Sequence, residues 1–138
     1  MSTLERAIAI AAEAHAGQLD KAGVPYILHP IRVMLRCSGA AERIVAVLHD
    51  VVEDTRWTLD GLRAEGFSEE VLRALDSVTH RASESYEEFV RRAGADPVGR
   101  IVKIHDIEDN SDLSRLPQVT ERDQARLEKY QRALAVLR

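Results

Sequence analysis

The chain has 138 residues, of which 45% are hydrophobic and 30% charged, the balance of a globular protein rather than a disordered or fibrous one. Its 19 Lys and Arg stand against 23 Asp and Glu, a net charge of −4, which argues against a nucleic-acid duplex as partner but not against a small anion at a local basic cluster. No apolar run approaches the roughly 20 residues of a membrane span, and the single cysteine, Cys37, excludes an internal disulfide framework and a thiolate metal cage.

The length is that of one domain over residues 1–138, with about 60% or more of its unfolded surface buried in a real core. The start, Met1-Ser2-Thr3-Leu4-Glu5-Arg6, lacks the basic-then-apolar order of a signal peptide. A cytoplasmic location is the expectation.

Ser2 with Glu5 predicts a capping box before an alanine-rich helix ending near Gly17. Residues 17–26, with two glycines and Pro25, read as a loop. Pro30 suits the first turn of a short helix running to about Arg36. After the break at Ser38-Gly39, Ala40 to about Glu53 reads as one strongly apolar helix. Thr58 caps a short helix that stops at Gly66, and Ser68 caps another to about Thr79. Ser85 with Glu88 predicts a second capping box and a helix to Gly94. Asp96-Pro97 opens a helix to about Asn110, and Thr120 starts an amphipathic one through Leu137. The expected architecture is all-α, a compact bundle of seven or eight helices. In the last helix, Leu127, Tyr130, Leu134 and Leu137 can pack internally or against a second copy in a homo-oligomer.

The chemistry concentrates in a few residues. On one continuous helix, His49 and Glu53 would stack on a face, with Asp50 and Asp54 stacked beside them. Four ionisable groups would then share a wedge whose flanks are Ile44, Val45, Leu48 and Val52. Partial burial of such a wedge is costly without compensation, and a divalent cation supplies it, with imidazole and carboxylate suiting manganese, iron or zinc. His29, held before Pro30, and Asp106, on the apolar segment 101–110, can complete a ligand shell with positions left open for water and substrate. Taken singly, these residues read as a solvated helix face, a histidine bonded to backbone and a surface charge. His15 reads as a packed histidine, His80 and His105 as surface residues, and Trp57 and Tyr86 as core edges.

The order His29-Pro30, His49-Asp50, Glu53-Asp54, Asp106 resembles the HD metal-dependent phosphohydrolases. More narrowly, Ala14-His15-Ala16-Gly17-Gln18, Gly23 to Pro30, Leu48 to Thr55, and Val102-Lys103-Ile104 with Asp106 and Asn110 resemble the hydrolase domain of RelA/SpoT-type proteins. The resemblance implies a single HD-domain bundle in which His29, His49, Asp50 and Asp106 bind one metal ion, manganese first, with iron or zinc as alternatives. It implies that Glu53 and Asp54 position or deprotonate the attacking water, and that Asn110 stands at the nucleoside-contact position; Lys21 and Lys103 can meet phosphate oxygens of the substrate, although each taken singly reads as a solvated lysine. The implied reaction releases pyrophosphate from the 3′ oxygen of a guanosine polyphosphate, as in the stand-alone small hydrolases of the family.

Two segments depart from the family pattern. Asp20-Lys21-Ala22 stands where the family carries Arg-Lys-Ser, so a guanidinium able to stack on a purine is replaced by a carboxylate. Asp106-Ile107-Glu108-Asp109-Asn110 stands for Asp-Arg-Leu-His-Asn and adds two acids. The alternatives are therefore a phosphatase or phosphodiesterase acting on another nucleotide, or a module that senses a nucleotide without turning it over.

Overall fold

In the computed structural model, which describes residues 2–138, Val45, Ala46, Val47 and Leu48 have no exposed surface. A run that is apolar on every side belongs to a helix enclosed by others. The helices are α1 (Leu4–Ala14), α2 (Leu28–Arg36), α3 (Ala40–Leu48), α4 (Val51–Asp54), α5 (Leu59–Ala64), α6 (Glu69–Ser77), α7 (Tyr86–Ala95), α8 (Pro97–Asn110) and α9 (Glu121–Leu137), with one 3-10 turn at Leu113–Arg115. Helix α3 is the enclosed one, packed against α1, α2, α6 and α8. Among the described residues the only β-type pairing is an isolated bridge between Leu19 and Pro25. The fold is all-α.

Local chemistry sets most boundaries. The side chains of Thr58, Ser68, Ser85 and Thr120 each accept a backbone N–H of the turn that follows, and Asp96 accepts two just ahead of Pro97. Two expectations are corrected. The first cap is Thr3, whose hydroxyl accepts from the Arg6 N–H at 3.1 Å, while the Ser2 N–H bonds the Gly66 carbonyl at 2.9 Å. The helix then closes at Ala14, and Gly17 takes a φ of 85° in the loop beyond it. The second correction is a break in the segment 40–53, which ends one helix at Leu48 and starts another at Val51. The reason is His49: its Nδ1–H and its backbone N–H both turn back to the Ala46 carbonyl, at 2.5 and 3.4 Å, and tighten the end of α3.

The main core joins α1, α2, α3, α5, α6 and α8, with Cys37 buried in it and Trp57 packed at its edge. A smaller core is formed by Val90, Ile107, Ala133 and Leu137, with Tyr86, Ile104, Tyr130 and Leu134 against it. Of the apolar stripe of α9, Tyr130, Leu134 and Leu137 thus pack internally. No helix among the described residues is long and apolar enough to cross a membrane.

Candidate metal centre

Two helix junctions and the middle of α8 aim side chains at one point. Tyr26 and His29 stand where the loop enters α2, the His29 N–H bonding the Tyr26 carbonyl at 3.0 Å. His49 and Asp50 occupy the break between α3 and α4, and Asp106 comes from the middle of α8. One donor atom from each of His29, His49 and Asp50 lies within 4.8 Å of the others. Asp106 joins from α8, its Oδ1 accepting from Nε2 of His29 at 2.9 Å and of His49 at 3.2 Å. Asp50 Oδ2 is 3.1 Å from Nε2 of His49 and 3.8 Å from Nε2 of His29, and it accepts the Tyr26 hydroxyl proton. The four residues expected to gather do gather.

Both imidazoles are oriented from behind. Nδ1–H of His49 donates to the Ala46 carbonyl and Nδ1–H of His29 to Oδ2 of Asp109 at 2.7 Å. Only the Nε2 atoms therefore face the cluster, and nitrogen with carboxylate oxygen is a set that manganese, iron or zinc accepts. The electrostatics agree. Burial opposes charge on His29 and His49, yet their carboxylate partners outweigh it and raise both, His49 strongly. Burial likewise opposes ionisation of Asp106 and Asp50, but Lys103 and His49 hold Asp106 well below its usual range, and His49 brings Asp50 down to about 2. The carboxylates thus favour positive charge between them, and two imidazole nitrogens with two carboxylates fit a divalent cation.

The remaining site residues are distributed around this point. Burial, then the charges of Asp50 and Glu53, lifts Asp54 to about 6, a carboxyl able to take a proton near neutrality. Glu53 is exposed and its Oε1 accepts from the His80 N–H at 2.7 Å. Asn110 donates to Asp106 Oδ1 at 3.2 Å, and with His29 and Lys21 it lines a cavity of about 440 Å³. Arg115, Arg126, Leu127 and Tyr130 form another part of that lining. Lys103, expected at a phosphate, is instead buried behind the cluster with its ammonium 3.0 Å from Oδ2 of Asp106 and 4.4 Å from the Phe89 ring centre. The Asp20 carboxylate is turned onto its own loop, accepting from the N–H groups of Ala22 and Val24. His15 is buried, its ring 5.1 Å from that of Tyr26.

Sequence reasoning missed the contributions of Asp109, Arg32 and Tyr26. The i, i+3 spacing of Asp106 and Asp109, which places them on one helix face, was the available signal for the first.

The family model described as "HD domain" matches residues 7–138. The chain belongs to the HD domain family. It is 34% identical over 119 residues to the probable GTP pyrophosphokinase of Mycobacterium leprae, covering 77% of this chain and 15% of the relative. It is 33% identical over 119 residues to the guanosine-3′,5′-bis(diphosphate) 3′-pyrophosphohydrolase of Aquifex aeolicus, covering 78% of this chain and 17% of the relative. The HD chain therefore spans less than a fifth of the length of these relatives. A solved structure described as a metazoan ortholog of SpoT that hydrolyzes ppGpp and plays a role in starvation responses superposes with a TM-score of 0.81, at 22% identity, over 99% of this chain and 85% of that one. That likeness establishes the shared fold.

Proposed function

We propose that this HD domain is a metal-dependent phosphohydrolase that releases pyrophosphate from the 3′ position of a guanosine polyphosphate, acting as one unit over residues 1–138 in the cytoplasm. The observation that carries the reading is the convergence of the His29 and His49 Nε2 atoms on Asp106 Oδ1, with Asp50 beside them and His29 also lining the open cavity. His29, His49, Asp50 and Asp106 would hold one divalent ion, manganese first. When bound, such an ion activates water and neutralises charge on phosphate. Asp54 takes the proton of the attacking water, with Glu53 ordering the short helix that carries both. Lys21 and Asn110 meet the substrate in the cavity, and Lys103 keeps Asp106 ionised and in place. The names borne by the relatives support guanosine polyphosphate as the substrate.

A second reading, the same chemistry on a different nucleotide, is favoured by one observation: Asp20 is committed to its own loop at a place where the family offers a stacking guanidinium. The test is incubation of the manganese-loaded protein with guanosine tetraphosphate and a panel of other nucleotides, with pyrophosphate and orthophosphate measured separately. Pyrophosphate from guanosine tetraphosphate supports the first reading, and orthophosphate or release only from another nucleotide supports the second. A metal-loaded protein that binds nucleotides and releases neither product overturns both and leaves a sensing module.

A further inference from the structure

Asp109 is a carboxylate with no exposed surface. Both of its oxygens are engaged, and Oδ2 serves two partners. Oδ2 accepts from Nδ1–H of His29 at 2.7 Å, on the opposite ring nitrogen from the one that faces Asp106. Arg32, one helical turn after His29, grips the same carboxylate with both arms, Nε to Oδ1 at 2.9 Å and Nη2 to Oδ2 at 3.1 Å. Arg115 fastens the Asp109 carbonyl at 2.8 Å. A carboxylate clamped in this bidentate way stays an acceptor and cannot rotate.

The two imidazoles of the cluster are thus held differently. His49 leans on a neutral backbone carbonyl, that of Ala46. His29 leans on a full negative charge fixed in place by two arginines. We infer that Asp109 is a positioning residue for metal uptake: through the Arg32 clamp it locks His29 in the Nδ1–H tautomer and presents Nε2 as the electron-richer of the two nitrogen donors. The inference rests on the metal centre proposed above. Partners of this kind behind a metal-bound histidine change affinity by about ten- to a hundredfold when altered.

Zinc is a suitable diamagnetic probe. In wild-type protein loaded with one equivalent of Zn²⁺, long-range proton–nitrogen NMR of the histidine rings should show His29 protonated at Nδ1 and metallated at Nε2. A His29 protonated at Nε2 would overturn the inference without any variant. Competition against a fluorescent chelator should then show Asp109→Asn binding Zn²⁺ about ten- to a hundredfold more weakly, with Arg32→Met weakened in the same direction. Melting curves run alongside identify variants that are merely unfolded. Unchanged zinc affinity in a folded Asp109→Asn also overturns it. A wild-type protein that takes up no zinc or manganese removes the metal centre itself, which is a separate failure.

Discussion

Gly99 of α8 meets Ser77 of α6 so closely that a Cβ on the glycine would stand 2.0 Å from the serine Oγ. The Ser77 hydroxyl has no easy retreat, because it donates to the Ala74 carbonyl at 2.6 Å inside a buried turn. Gly99→Ala should therefore push α8 away from α6 and destabilise the fold by about 1–3 kcal/mol, the usual cost of overpacking. Ser77→Ala in the same chain should recover most of this, since the next contact is 3.3 Å. Chemical denaturation of the single and double variants measures the coupling; two independent, additive losses would refute it.

Asp54 is the carboxyl best placed in energy to take a proton, since its surroundings lift it to about 6. Asp54→Asn should lower turnover by on the order of a hundred- to ten-thousandfold while elemental analysis still finds one metal per chain. Retained turnover would remove its role as proton acceptor. Loss of the metal would instead make it a ligand.

Lys103 separates two roles by kinetics. If its ammonium acts on Asp106, as the 3.0 Å pair implies, then Lys103→Met lowers metal affinity and thermal stability and leaves the substrate KM of fully loaded enzyme nearly unchanged. A raised KM with wild-type metal affinity would return Lys103 to the substrate side.

Acid stability has its own reporter where the loop between α6 and α7 meets Arg92. Arg92 joins Glu84, at 2.7 and 2.9 Å, to the carbonyls of Asp76 and Thr79. The hydrogen bonds from Arg92 bring Glu84 from the ordinary 4.5 down to about 2. A depressed carboxyl binds fewer protons folded than unfolded, so its stabilisation is full above pH 4.5 and fades as pH falls toward 2. Urea titrations over that window should show a shallower slope for Glu84→Gln than for wild type. Identical slopes would remove Glu84 from the acid response.

What was legible in the sequence was mainly local. Caps at Thr58, Ser68, Ser85, Asp96 and Thr120 depend on a side chain reaching three residues at most, so composition and order suffice. The four candidate ligands were legible because family order singles them out, although each residue alone suits a surface. The break at His49-Asp50 was not, since every residue of 40–53 is compatible with a helix and only the imidazole turning back on Ala46 ends it. Asp109 was not either: its partner His29 lies 80 positions away, and its charge is acceptable in a helix interior only because Arg32 arrives from α2. The burial of Lys103 is not legible for the same reason, being a product of how α7 and α8 meet.

The proposed ion would be held entirely by residues 29 to 106, whereas Asp123, Arg126, Leu127 and Tyr130 of α9 wall the neighbouring cavity. The cavity thus joins His29, Lys21 and Asn110 to a helix that supplies none of the proposed ligands. Substituting the cavity-facing side chains of that helix, with its packed face kept, is the gentlest way to alter which nucleotide such a protein accepts.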